Sequence, residues 1–283
     1  MKIPTIFFHI GYQKYLELCL RQTSKNNRVI LIGNEQNQHL GQLENVEHHL
    51  YKHFLEPGTS KFLDSYKHLH SGAAQFELFC FMRWIVVRNA LKFMNIETFF
   101  YSDSDNLIYS DLDEVYKNLG SPDFALAVPQ EQPPFRWVAT GAMSYWNIDI
   151  LDEFCDFMTD FYIDKQKLAI LEEKWAWHKR EGFFGGICDM SLMWHFVQQK
   201  EHQVLTKVQP DNTAFNININ EPTNHYYSLD EYEVKEGDIK NIFFLEDRPY
   251  CKNLLTGEDV MFHNLQFQGG AKHLVREHTR GIS

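Results

Sequence analysis

The chain has 283 residues, 44% hydrophobic and 15% aromatic, a composition that excludes a disordered segment. Its 38 Asp and Glu outweigh 27 Lys and Arg, and the formal charge of −11 excludes the broad basic face that nucleic acid or an anionic membrane requires. Five scattered cysteines (Cys19, Cys80, Cys155, Cys188 and Cys251) form no CxxC pair, which excludes a zinc ribbon or disulfide framework and fits a reducing compartment.

An apolar run at residues 3–9 predicts a buried strand. Pro4 and His9 interrupt it, and it is too short to span a bilayer. No other segment approaches about 18 uninterrupted apolar residues. The expectation is a soluble cytoplasmic enzyme, peripheral to a membrane only if a partner holds it there. Residues 12–20 have helical spacing, and residues 28–32 form a second strand ended by Gly33-Asn34. Residues 75–94 carry Phe76, Phe79, Cys80, Trp84, Val87, Leu91 and Met94 at steps of three or four, which predicts a long helix with Phe76, Phe79, Phe81 and Trp84 in the core. Strands follow at 97–101 and 124–128, then helices at 148–162, 166–177 and 190–199. The last third has short strand-like runs at 214–219, 241–245 and 260–263. This order implies an α/β domain, a mostly parallel twisted sheet flanked by helices, with a small C-terminal strand-rich part. No linker or repeat divides the chain.

The most informative segment is Tyr101-Ser102-Asp103-Ser104-Asp105. An apolar strand ends there in two carboxylates two residues apart. Ligands of open α/β sheets bind beyond the carboxyl ends of strands. Positions i and i+2 of an extended chain project to one side, so Asp103 and Asp105 converge on one cation. Hard oxygen ligands suit Mg²⁺ or Mn²⁺, which keep sites open for substrate phosphates. A polar turn with a capping Asp is the alternative. Near the other end, a strand-like run delivers His263, the Gly269-Gly270 pair permits close backbone approach, and Lys272 supplies a point charge for phosphate. His263 is a candidate third metal ligand or a strand-end histidine bonded to backbone.

These segments resemble glycosyltransferases of the GT-A fold, whose DxD motif binds a divalent ion and the donor diphosphate. Asp103, Ser104 and Asp105 match that motif, and the wider pattern is similar to the family 8 enzymes of the glycogenin and lipopolysaccharide galactosyltransferase type. The tail resembles that family's HxxGxxK element, with a longer His-to-Gly spacing and His273-Leu274 where the family has Pro-Trp. The resemblance implies that Arg83, on the helix before the DxD strand, reaches the donor. It implies that Ile10, Gly11, Tyr12 and Asn34 lie near the nucleoside, with Tyr12 able to stack on a base. Gly141 and Ala142, in the small-residue turn Thr140-Gly141-Ala142, then line the sugar pocket or simply pack tightly. Asp189 in Gly185-Gly186-Ile187-Cys188-Asp189 resembles the acidic residue facing sugar and acceptor, and also reads as a helix N-cap. As a base it would take the acceptor proton; in a retaining enzyme, which the resemblance slightly favours, it would steady the anomeric carbon.

The resemblance implies a metal-dependent transferase that moves a sugar from a nucleotide-sugar, a UDP-sugar by the family's usage, to a hydroxyl acceptor such as a glycan. Residues 1–130 would form the nucleotide-binding half, 131–275 the sugar and acceptor half, and 276–283 a tail. A sugar nucleotidyltransferase is the first alternative, but it needs a Gly-rich basic loop after the first strand, where only Gly11 stands. A non-catalytic nucleotide-sugar-binding module with a structural ion is the second. His39, His48, His49, His53, His68 and His70 lack HExxH spacing and read as solvated surface. Trp175 and Trp177 either line an acceptor groove or pack against a helix.

Overall fold

The computed structural model describes residues 2–224 and 230–281. The first part contains β1 (Thr5–Phe8), α1 (Lys14–Thr23), β2 (Val29–Gly33), β3 (Val46–Leu50), α2 (Thr59–Ser65), α3 (Ala74–Phe93), β4 (Thr98–Ser102), β5 (Asn106–Ile108), α4 (Leu112–Asn118) and β6 (Phe124–Ala127). There follow β7 (Thr140–Asn147), α5 (Ile148–Ile163), α6 (Lys165–Glu181), α7 (Asp189–Val197) and β8 (Gln203–Val204). The rest is strand-rich: β9 (Thr213–Ala214), β10 (Val234–Lys235), β11 (Ile239–Lys240), β12 (Phe243–Leu245), β13 (Arg248–Lys252), β14 (Asp259–Phe262) and β15 (Asn264–Gln266), then α8 (Val275–His278).

The central sheet runs β3-β2-β1-β4-β7-β6-β8. Its pairings are parallel except where β7 lies antiparallel between β4 and β6. The fold is therefore the expected mixed α/β architecture, with a mostly parallel sheet. Every residue of β1 and β2 is buried, as a sheet covered on both faces demands. One face packs Trp84, Ile85, Leu91, Phe154 and Phe196 from α3, α5 and α7. The other packs Leu16, Leu20, Leu112 and Val115 from α1 and α4. Among the described residues no helix is long and apolar enough to cross a membrane.

Three expectations change. Phe76 is 67% exposed, because α3 begins beyond the layer that buries Phe81 and Trp84. The 214–219 run pairs only at Thr213–Ala214, because buried amides intercept its backbone: Asn264 Oδ1 accepts the Asn216 N–H, and Asn224 Oδ1 accepts that of Ile217. The histidine stretch is not uniformly solvated. His48 Nε2 donates to Asn37 Oδ1 at 2.8 Å, and His70 Nδ1 lies 3.2 Å from Glu77. The feature that builds the site is a separate antiparallel pair. β5 leaves the end of β4 and pairs with β15, with Asn106 opposite Gln266.

Candidate functional site

The carboxyl end of β4 lies beside that of β1, with Ser102 opposite Phe7. The chain then leaves the sheet. The Asp103 N–H donates to the Ala142 carbonyl on β7 at 2.8 Å, and the Asp105 carbonyl accepts from Phe267 N–H at 2.9 Å. These two bonds hold the acidic turn between the sheet and the C-terminal segment. The Ser104 hydroxyl meets His9 Nδ1 at 2.8 Å, while the other ring nitrogen of His9 bonds Gln13.

Charged groups from four distant parts of the chain meet at this turn. Arg83 donates from one guanidinium nitrogen to Asp103 at 2.8 Å and from another to Asp189 at 2.6 Å. Trp84 Nε1 donates to the same Asp189 oxygen at 2.8 Å. Lys272 lies 3.0 Å from Asp105. Arg83 also sits over the rings of Trp84 and Tyr101, at 5.0 and 5.5 Å. Adjacent on α3, Arg83 and Trp84 both have side chains long enough to reach Asp189, the first residue of α7, whose N-terminus favours an anion.

Burial works against the charge of Arg83, but Asp189, Tyr101 and Asp103 hold its proton more firmly than usual. Burial raises the Asp105 carboxyl above its ordinary range, and the like charge of Asp103 adds to this, against the pull of Lys272. Burial also disfavours the Lys272 ammonium, yet Asp105 more than offsets it and raises its pKa. The two directions are consistent, because Asp103 repels one partner and attracts the other. Asp105 Oδ1 is buried without a hydrogen-bond partner among the described residues. Such an oxygen is costly to leave bare, and it suits a hard cation. No three His, Cys, Asp or Glu side chains among the described residues are grouped to enclose a metal ion. An ion held by Asp103 and Asp105 would need its other ligands from water or from bound phosphate.

The loops after β1 and β2 form a second wall. Asn34 Oδ1 accepts the Gly11 N–H at 3.0 Å, and Asn37 Nδ2 donates to the carbonyls of His9 and Gly11. Gly11 has φ of 90°, a conformation that side chains resist. Tyr12 is 40% exposed, its hydroxyl donates to Glu17, and its ring lies 5.0 Å from His39. Ile10 packs against the core. In the 3₁₀ turn at Gly269–Leu274, open space surrounds the α-carbons of Gly269 and Gly270, and Lys272 returns to Asp105.

Three site expectations are corrected. His263 does not join Asp103 and Asp105. The antiparallel register puts Phe267 against Asp105, so His263 falls at the far end of β5, hydrogen-bonded to Ser110 at 2.9 Å and packed on Phe215. It lines a different cavity with Asp111 and Asp211. Gly141 is buried, and a β-carbon there would stand 2.5 Å from the Trp84 ring, so its missing side chain admits Trp84 rather than a sugar. Asp189 is the first helical residue rather than the N-cap, a position Cys188 occupies, and its Oδ2 accepts from both Arg83 and Trp84.

Sequence reasoning missed His9, Trp84 as a hydrogen-bond donor, and Gln266. Gln266 is 1% exposed, and its Oε1 has no partner among the described residues. No local pattern marks any of the three: His9 meets Ser104, Trp84 meets Asp189 and Gln266 stands opposite Asn106, all far apart in sequence.

No family model matches the chain, and no curated protein matches it. Solved structures do. The fold is similar to that of mouse xyloside xylosyltransferase 1, with a TM-score of 0.50, 10% identity, and coverage of 72% of this chain and 85% of that chain. Weaker likenesses include an active-site mutant of LgtC (TM-score 0.37, 12% identity, 57% of this chain and 65% of that chain). Another is the glycosyltransferase GlyE of Streptococcus pneumoniae TIGR4 (TM-score 0.38, 16% identity, 75% of this chain and 46% of that chain). The first likeness places the chain in a fold that a glycosyltransferase also uses.

Proposed function

We propose that the chain is a glycosyltransferase that moves a sugar from a UDP-sugar to a hydroxyl acceptor, with Mn²⁺ or Mg²⁺ held by Asp103 and Asp105. The observation that carries this reading is the charge cluster at the end of β4, in which Arg83 bridges Asp103 and Asp189 while Lys272 holds Asp105. Electrostatic stabilisation of a departing diphosphate needs positive charge at a strand end, which Arg83, Lys272 and an ion on the carboxylates would supply together. The ion, when bound, neutralises the diphosphate as a Lewis acid.

The chain's own residues do the rest. Asp105 would hold the ion and Lys272 would pair with the diphosphate, which the open Gly269-Gly270 turn would let approach the backbone. Asn34 and Gly11 shape the nucleoside wall, with Tyr12 at its rim. Asp189, fixed by Arg83 and Trp84, faces the sugar and steadies positive charge at the anomeric carbon, consistent with retention. The reaction exchanges the anomeric bond to phosphate oxygen for one to the acceptor oxygen and releases UDP and a proton. Calorimetric titration of UDP with and without Mn²⁺ tests the reading. Metal-dependent binding is expected; absence of binding in both conditions overturns the assignment of Asp103 and Asp105.

A further inference from the structure

A cavity of about 470 Å³ opens next to the charge cluster, within the size range of small-molecule sites, about 300–1,000 Å³. Three of its lining residues are neighbours in sequence of the candidate site. Thr140 precedes Gly141, Met190 follows Asp189, and Gln268 precedes Gly269. The cavity is therefore lined by residues that directly flank Gly141, Asp189 and Gly269 in the chain.

Its lining has two chemistries. Val138, Met190, Ile217 and Pro222 are apolar, while Thr140, Asn218 and Gln268 offer hydrogen bonds. The charged lining groups are the Glu221 and Asp230 carboxylates and the single Arg136 guanidinium, so the balance is negative. The wall is preformed. Lys240, fully buried, donates to the carbonyls of Asn218 at 2.5 Å and Thr223 at 3.2 Å, and Asn224 donates to those of Thr206 and Phe215.

We infer that this cavity receives the acceptor and that the acceptor end is a neutral saccharide. A pyranose offers apolar C–H faces and a rim of hydroxyls, which is what a wall mixing aliphatic side chains with amides and hydroxyls takes. Carboxylates at the rim accept sugar hydroxyls and repel a uronic acid or a phosphorylated acceptor. The word acceptor rests on the transferase reading; the saccharide site itself does not.

The test is saturation-transfer NMR on the full chain, with methyl pyranosides and the matching methyl uronates as probes, beside a separate titration of UDP and Mn²⁺. At least one neutral glycoside is expected to bind at millimolar concentration, at least tenfold more tightly than its uronate. Val138→Trp, which fills the cavity, should remove the signal with the melting transition retained. Glu221→Gln with Asp230→Asn should narrow the neutral-to-anionic ratio at least threefold. Preference for uronates, no glycoside binding, or a signal unchanged in V138W overturns the inference. Glycoside binding without UDP binding sinks the transferase reading and leaves the saccharide site standing.

Discussion

Arg83 is the residue on which the charge cluster turns. Its side chain is only 15% exposed, and it neutralises Asp103 and Asp189 together. Removing one partner of a buried ion pair typically costs about 3–5 kcal/mol, because the other charge stays buried. Arg83→Met is expected to lower the unfolding free energy by an amount in that range, read from urea titration; a change below about 1 kcal/mol would show that water screens the two carboxylates. Asp105 behaves differently. Its Oδ1 has no partner, and Lys272, paired with Oδ2, is 36% exposed and can turn to water, so Asp105→Ala should keep the fold and abolish metal-dependent UDP binding, and calorimetry showing full binding would remove it from the ion site. For Lys272→Ala, loss of a charged hydrogen bond worth about 1.5–3 kcal/mol predicts UDP affinity reduced roughly ten- to hundredfold, with uridine affinity unchanged. Equal losses for both ligands would place Lys272 away from the diphosphate.

Between elements, the contact that matters most is that of α3 with β7. Trp84 lies against Gly141 and reaches Asp189 at the start of α7, so one indole locks three elements together. A β-carbon at Gly141 would come within 2.5 Å of that ring, far inside contact distance. Overpacking of this kind costs about 1–3 kcal/mol. Gly141→Ala should lower the melting temperature and weaken donor binding together, since the displaced indole carries Asp189 with it. A melting temperature within a degree of wild type would mean that β7 shifts freely. The β5–β15 pair is the other decisive contact. Its register delivers Lys272 to Asp105 and strands His263 beside Ser110.

Stability of the whole molecule should depend on pH through the half-buried His195 and the buried His263. Burial lowers His195 and His263 to about 4. In the unfolded chain they take up protons near the ordinary 6.5, so their stabilising contribution is complete above that pH and is lost as pH falls towards about 4. Glu77 acts in the opposite sense. Burial, then the charge of Asp189, raises it to about 7, so it binds a proton in the fold before it does in the unfolded chain. Its contribution is complete below about 4.5 and is lost as pH rises through about 7. The unfolding free energy is expected to decline between pH 6.5 and 4.5, less steeply in His195→Gln and more steeply in Glu77→Gln. Parallel curves for wild type and both variants would contradict this assignment.

Local pattern was enough to read the alternation of strand and helix, because burial on both faces writes unbroken apolar runs into β1, β2 and β4, and a 3.6-residue period into α3. It was also enough to put Asp103 and Asp105 at a strand end, since polar residues after a buried run mark where the chain leaves the sheet. The contacts that complete the cluster were another matter. Arg83 lies 106 residues from Asp189, and only the packing of α3 against α7 gives the distance between them. His263 looked like a ligand because its chemistry suits one, but hydrogen-bond register decides which residue of β15 faces which of β5. Register is a property of two strands at once, and no single strand carries it.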